Sequence, residues 1–447
     1  MFPRVARDSF HSDPIERLLF VSRQLHSPHR VVRAIRHARR KRGDAGARLG
    51  QWPGNWHIKS TWLPVSRAFI CLIIRQHRKN NMSTEAIPEA LTAPTQAFQN
   101  SPPFPDDVPT APLLRLSLAK LIDRDPEEVN RFARACEDLG FFYLDLSGPG
   151  DSLLADADHL FGVGAELFEL PLEEKKKYDF MHKNSYFGYK GLGANVADRE
   201  GNLDRNEFYN VSKDDIMGIS DPWPAPEVLN SQRPLLKSFI SSAHGIVDLV
   251  LELLNDHLKL PPNTLQDMHR LEGHSGDQVR FIKAPPQPMN DRKTALGEHT
   301  DFGSVTVLFN RLGGLQVLPP GRDAQWCYVK PLPNHAIINL GDAMVKFTNG
   351  LLRSNIHRVV APPGKQADYT RYSLVYFNRP EDDVMLKRLK GSDKIPPLAE
   401  DEVEEEINSK DWIIRRALGH RIALYGKDAY DYDRIKGTEE KSQRAYL

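Results

Sequence analysis

Between residues 278 and 378 the chain is a succession of short apolar runs broken by turn signals, the texture of an antiparallel barrel or sandwich. The runs are QVRFIK (278–283), SVTVLFN (304–310), LQVLP (315–319), QWCYVK (325–330), AIINL (336–340), HRVVA (357–361) and RYSLVYFN (371–378). Asn349-Gly350 between two of them predicts a hairpin.

The segment before these strands alternates helix and strand. Asp125-Pro126 followed by Glu127 and Glu128 is a helix start, and Val129, Phe132, Ala133 and Cys136 follow at helical spacing to Gly140, a cap. FFYLDL (141–146) reads as a buried strand. LLRLSLAKLI ahead of it reads as an edge strand entering a turn. Helices are expected over 153–170, briefly at PLEEKKKY, and over 232–258, the last strongly amphipathic. Residues 183–220, rich in Gly, Asn and Asp, read as a structured loop outside the core. The tail, 400–428, returns to helix.

Charge divides the chain. Residues 1–81 hold 17 Lys and Arg against 4 Asp and Glu, while the whole chain has a net charge of only +1, so the body is acidic. An acidic body excludes a nucleic-acid groove as its main business. Three readings of 1–81, with its basic run Arg30 to Arg42, stay open: a mitochondrial-type targeting segment, a nucleic-acid-binding tail, or residues outside a mature protein that starts at Met82. Residues 82–110, rich in Pro, Thr and Ser, read as a linker. Cys71, Cys136 and Cys327 form no CxxC pair, which points to a reducing compartment rather than a disulfide framework. The longest apolar run, Ala68 to Ile74, is far short of the ~18–20 residues of a membrane span, so no span is expected.

The chemistry concentrates in the strands. In a strand, residues two apart face one side, so His299 and Asp301 can converge on one ion while Thr300 points away. His357, opening HRVVA after the Asn-Gly turn, is the candidate third ligand. Two imidazoles and one carboxylate on one face of an ion leave positions open, which is the facial triad of oxygen-activating iron(II) sites. HxD alone is a weak signal among 16 histidines. Arg371 and Ser373, also two apart on one strand, strengthen it: a guanidinium fork beside a hydroxyl receives a carboxylate. A triad next to such an anchor implies an acid co-substrate reaching from Arg371 to the metal.

With these residues in place, the chain resembles the iron(II)/2-oxoglutarate-dependent oxygenases of the isopenicillin N synthase-like group. The H-x-D…H…R-x-S pattern falls on His299, Asp301, His357, Arg371 and Ser373, within GEHTDFGSVTVL, GGLQVLPP, INLGDAMVKFTNG, SNIHRVVAPP and RYSLVYF. ACEDLGFFYLDL, LPLEEKKKY and YFGYKGLG match the segment that precedes the core, so the likeness covers roughly 111–395. It implies a mainly β fold with α, a distorted double-stranded β-helix (jelly roll) flanked by helices. The expected organisation is a basic extension (1–81), a Pro-rich linker (82–110), an N-terminal α/β region (111–270), a jelly-roll catalytic core (271–395) and a helical tail (396–447). The resemblance implies iron on His299, Asp301 and His357. It also implies 2-oxoglutarate on Arg371 and Ser373, oxygen as the second co-substrate, and ascorbate in support. The reaction would be hydroxylation, desaturation or ring closure of a small organic molecule, in secondary metabolism.

One departure stands out. Many relatives carry a tyrosine just before a Pro-Pro pair ahead of the metal motif. Here that place is Ala284, and Arg280, four residues earlier, is a candidate co-substrate residue instead. Phe208, Tyr209, Phe302 and Lys346 are candidates for the substrate wall. Asp204 and Glu207 either contact substrate or cap structure. Asn339, Gly341 and Asp342 read as turn residues, His335 as a loop histidine, and the glycines 188, 191 and 193 as a loop over the pocket. A monomer in the cytoplasm, or in mitochondria if the basic segment targets it, is expected. The competing readings are an iron oxidase of the same fold that ignores 2-oxoglutarate, and a non-catalytic binding protein on this scaffold.

Overall fold

Strand alternation organises the computed structural model, which describes residues 101–198, 201–287, 294–419, 421 and 437–438. The basic segment 1–81, Cys71 and most of the linker lie outside the described residues. Twelve strands are described: β1 Leu114–Ser117, β2 Phe141–Asp145, β3 Gly188–Lys190, β4 Glu207–Ser212, β5 Gln278–Ala284, β6 Leu296–His299, β7 Val305–Asn310, β8 Leu315–Val317, β9 Cys327–Tyr328, β10 His335–Leu340, β11 His357–Val359 and β12 Arg371–Asn378. They form an eight-stranded sheet, β1-β2-β10-β7-β12-β5-β4-β3, and a four-stranded sheet, β6-β11-β8-β9. All pairings are antiparallel except β1 with β2.

The helices are α1 Leu118–Ile122, α2 Pro126–Asp138, α3 Asp151–Glu169, α4 Leu172–Lys176, α5 Lys213–Met217, α6 Glu227–Asn230, α7 Arg233–His257, α8 Asp342–Thr348 and α9 Ser409–Gly419. Asp125 caps α2 by accepting from Glu128 N at 2.9 Å. Gly140 ends that turn at φ +69°, where a Cβ would strike the Arg353 carbonyl, so glycine is required. α7 is long and apolar enough to cross a membrane by length and composition alone. Here it is a core helix: Leu236, Phe239, Ile240, Val247, Leu251 and Leu254 are all buried, and it packs against α3, β7 and β12.

Because successive side chains on a strand face opposite ways, each strand of the large sheet serves two compartments. Val305, Val307 and Phe309 of β7, Leu374 and Tyr376 of β12, Val279 and Phe281 of β5, and Tyr209 and Val211 of β4 join the main core with the helices. The alternate residues face the small sheet. There Ile337, Phe141 and Tyr143 pack with Leu315 and Val317 in a second, smaller cluster. The core thus sits mostly on the helical face, and the polar residues are concentrated between the sheets.

Several expectations change. Asn349-Gly350 is not a hairpin: Asn349, at φ +47°, ends α8 in the left-handed conformation, a role the same dipeptide fills as readily. Residues 183–220 are not a loop outside the core, since β3, β4 and α5 lie there and Tyr189, Tyr209 and Val211 are buried. The edge strand β1 leads into a helix, not a turn. Of the proposed linker, residues 101–110 pack on the body: Gln366 Nε2 donates to Pro102 O at 2.8 Å, Tyr328 N donates to Pro109 O at 2.8 Å, and Phe104 meets Tyr328 edge-on. The described part of the tail helix is α9.

His269 ties the helical layer to the loop that follows β6. Its Nδ1 must donate to the Leu265 carbonyl at 2.7 Å, so Nε2 accepts from Ser304 Oγ at 2.6 Å. Burial pushes its pKa down to about 4, outweighing the favourable backbone contact and Asp277. A group depressed in the folded state contributes fully above its unfolded pKa, near 6.5, and loses that contribution as pH falls toward 4. Denaturant unfolding should therefore lose about 3 kcal/mol between pH 6.5 and 4 from this group alone. His269→Gln should flatten that slope by about one proton; an unchanged slope would show that His269 protonates freely in the native protein.

Candidate metal and co-substrate site

The register of the large sheet brings two polar side chains to one row. Asn339 on β10 pairs with Thr306 on β7, which pairs with Phe377 on β12. Asn339 and Thr306 both face the small sheet and meet the carboxylate of Asp301. Thr306 Oγ1 donates to Oδ2 at 2.8 Å and Asn339 Nδ2 donates to the same oxygen at 2.7 Å. Oδ1 is left facing the histidines, 4.0 Å from His299 Nε2 and 3.9 Å from His357 Nε2. His299, the last residue of β6, and His357, the first of β11, are cross-strand partners in the small sheet, with rings 4.3 Å apart. The sheets therefore meet at this carboxylate.

The three ligand atoms lie within 4.8 Å of one another. Two metal–ligand bonds of about 2.1 Å span at most about 4.2 Å, so the carboxylate-to-imidazole gaps fit one ion between them. The tautomers fit as well. His299 Nδ1 lies 2.8 Å from Gly297 O and His357 Nδ1 3.1 Å from Asn355 O. A carbonyl only accepts, so each Nδ1 carries the proton and each Nε2 offers a lone pair. Burial opposes ionisation of Asp301, but His357, His299 and the two hydrogen bonds outweigh it and hold the carboxyl below its usual range. The donor set of two neutral imidazoles and a carboxylate suits a divalent iron with open positions.

Thr300 points the other way, as strand logic expects, although the strand itself ends at His299. Its hydroxyl donates to Asp342 at 3.1 Å, and Asp342 pairs with Arg416 of α9 at 3.3 Å. Thr438 also donates to Asp342 through its hydroxyl at 2.7 Å. This buried cluster clamps the ligand-bearing turn from behind. Asp342 and Asn339 are thus not mere turn residues.

Arg371 is buried at the other end of the same face. Nε donates to Gly313 O at 2.7 Å, Nη1 to Ser373 Oγ at 2.6 Å and Nη2 to Asn310 Oδ1 at 3.0 Å. Ser373 Oγ also donates to Asn310 Oδ1 at 2.6 Å. All these partners are neutral, and burial pushes the guanidinium pKa down to about 10. Thr306, beside Asp301, and Asn310, beside Arg371, are four residues apart on β7, about 13 Å along the strand. A short diacid fits such a separation once the side chains at each end reach inward.

A cavity opens onto His299 and Asp301 and is lined by Phe208, Phe302, Arg280 and Arg379 among others. Phe208 and Phe302 line this cavity. Tyr209 does not: as the next residue on β4 it faces the helices, buried in the main core. Lys346 is also elsewhere, directed to Glu405 at 3.4 Å and lying over the Trp412 ring. Glu207 binds Lys175 at 2.8 Å and Asp204 pairs with Lys190, both as buried structural pairs. His335 opens β10 rather than lying in a loop, and Gly188 lies in β3. Ala284 is the register partner of Arg371, and Arg280 sits four residues along, opposite Val375. Sequence reasoning missed Thr306, Asn310 and Arg379; a polar residue at alternate positions of an otherwise apolar strand (T and N in SVTVLFN) is the signal that marks the first two.

A jelly roll that gathers two histidines and a buried carboxylate around one point, with a guanidinium along the same wall, defines a non-haem iron oxygenase. The 2OG-Fe(II) oxygenase superfamily model matches residues 276–380, and a model described as the N-terminal region of a non-haem dioxygenase in morphine synthesis matches 111–228. A 2-oxoglutarate-dependent dioxygenase of Aspergillus fumigatus is 34% identical over 322 residues, covering 66% of this chain and 82% of the relative. Another of Gibberella zeae is 31% identical over 312 residues, covering 69% and 88%. Among solved structures, a full-length Neurospora crassa protein in complex with alpha-KG superposes with a TM-score of 0.58 at 23% identity, covering 68% of this chain and 95% of that one. A 2OG-Fe(II) oxygenase family protein from Caulobacter crescentus gives 0.57 at 25% identity, covering 69% and 98%. The chain belongs to the iron(II)/2-oxoglutarate-dependent oxygenase family and is a dioxygenase of that family.

Asn339 and Thr306 fix Asp301 without touching the ion. Removing such a partner usually costs ten- to a hundredfold in metal affinity. Asn339→Ala should weaken cobalt(II) binding by roughly that factor in a chelator competition while the fold persists by circular dichroism. Unchanged affinity would mean that Asp301 holds its orientation without the amide.

Proposed function

We propose that this dioxygenase oxidises a C–H bond of a small organic molecule of secondary metabolism, using His299, Asp301 and His357 to hold iron(II) and Arg371 with Ser373 to hold the far carboxylate of 2-oxoglutarate. The observation that carries the co-substrate assignment is the buried Arg371, whose hydrogen-bond partners are all neutral. A buried cation without a counter-charge is costly, and an anion delivered by a ligand offsets that cost. The same chemistry argues against an oxidase that ignores 2-oxoglutarate. When bound, iron(II) with 2-oxoglutarate and oxygen supplies the oxidising power, and the co-substrate leaves as succinate and carbon dioxide.

The chain's own groups provide placement. Nε2 of each histidine and Oδ1 of Asp301 would hold the ion, and three protein ligands would leave positions for co-substrates. Arg371 orients the diacid from its far end. Phe141 packs edge-on to His357 at 5.3 Å and shields that ligand from water. Cys136 and Cys327 are free thiols, in keeping with action in the reducing cytoplasm, where iron stays ferrous.

Purified protein with iron(II), ascorbate and 2-oxoglutarate should release succinate, and His299→Ala should abolish the release. Anaerobic calorimetry should show 2-oxoglutarate binding to the iron-loaded protein, weakened in Arg371→Met by about 1.5–3 kcal/mol. Equal binding by parent and Arg371→Met would remove the anchor from the scheme.

A further inference from the structure

The cavity beyond the metal ligands holds more positive charge than the reaction requires. Arg280, Arg379 and Arg421 all line it. Among the described residues, the one hydrogen bond of the Arg280 guanidinium runs from Nε to Asn210 Oδ1 at 2.7 Å. Its two terminal nitrogens have no acceptor among the described residues, and Arg280 lines the cavity. Arg379 is 3% exposed, and its Nε has no hydrogen-bond acceptor among the described residues. Neither guanidinium has an ion-pair partner among the described residues. Among the described residues, the acidic side chains of the lining are Asp301, committed to the triad, and Glu298.

Two rings decide how Arg280 can act. Its guanidinium carbon lies 4.3 Å from the Phe208 centroid and 4.8 Å from that of Phe377. Arg379 approaches the same Phe377 ring, at 5.7 Å. Stacked faces leave only the edges of a guanidinium to donate, and in Arg280 the Nε edge is taken by Asn210. The edge formed by the two terminal nitrogens remains, and it matches the two oxygens of a planar carboxylate. Placing two guanidiniums on one ring is a repulsive arrangement unless an anion joins them. Burial first, and Arg379 next, push the Arg280 pKa down to about 9, which expresses the same unpaid charge. Val196, Leu296, Phe208 and Phe302 give the wall an apolar stretch, beside polar Asn195 and Asn210.

We propose that the substrate is a small organic acid whose carboxylate is received by the terminal edge of Arg280, supported by Arg379, while its apolar body lies along Phe208 and Phe302 toward the metal. The proposal rests on the reading of His299, Asp301, His357 and Arg371 as the iron and 2-oxoglutarate site. It moves Arg280 from co-substrate binding to substrate recognition, because the register places Ala284, not Arg280, opposite Arg371.

The test is anaerobic calorimetry on full-length protein loaded with iron(II) and saturated with 2-oxoglutarate, which keeps added acids away from Arg371. The probes are arylalkanoic and medium-chain alkanoic acids, each paired with its uncharged primary amide. Acids of this set are expected to bind at least tenfold tighter than their amides. Arg280→Gln should abolish the preference, and Arg280→Lys should keep part of it while losing the bidentate advantage. Binding of 2-oxoglutarate to each variant reports that the site is intact. The proposal is overturned if no acid of the set binds at millimolar concentration, if acids and amides bind alike, or if the preference survives in Arg280→Gln. Loss of 2-oxoglutarate binding in the parent itself would strike the co-substrate reading instead, and the acid preference would then be read in its absence.

Discussion

Everything in the site depends on one carboxylate held between two sheets. Asp301 lies just beyond the last residue of a small-sheet strand, yet its orientation is set by Thr306 and Asn339 of the large sheet. Those two are neighbours only because β7 and β10 pair in one register. A slip of one residue would turn both into the helical core and put valine or isoleucine in their place. The metal geometry is therefore a consequence of sheet register, and the large helical core that fixes the register serves the site at a distance.

The wall facing the small sheet carries a second consistent property. Its buried cations, Arg371 and Arg379, have neutral partners, and the partly exposed Arg280 has only Asn210. Elsewhere several buried cations are paired with acids: Lys175 with Glu207, Lys190 with Asp204, Arg416 with Asp342. The contrast separates structure from recognition. Where charge is only structural the chain supplies its own counter-ion; along the cavity it leaves that to ligands, at a cost in stability that binding returns.

Legibility followed periodicity. The strands from 278 to 378 were readable because short alternating segments leave a period of two, and the long helices because theirs is 3.6. Residues 183–220 were misread because strands three to six residues long among Gly and Asn carry too few positions to show any period. Asn349-Gly350 was misread because a left-handed Asn-Gly serves a hairpin and a helix end equally well; the preceding helix, not the dipeptide, decides. Tyr209 shows the same limit at one residue: adjacent aromatics on a strand face opposite layers, and only the register says which of Phe208 and Tyr209 reaches the cavity.

By itself the sequence determined the donor set. His299 and Asp301 two apart at the end of one strand, His357 on another, and Arg371 with Ser373 two apart are local spacings that hold wherever those strands go. Only the tertiary structure decided what those groups meet. It chose the tautomers through Gly297 and Asn355, put Asn339 on the carboxylate, sent Lys346 and Tyr209 away from the cavity, and brought Arg379 beside Arg280 on one phenyl ring. The physical reason is range: alternation along a strand is local and written residue by residue, whereas contacts between strands about a hundred residues apart, such as β5 and β12, depend on a register that packing of the whole core selects.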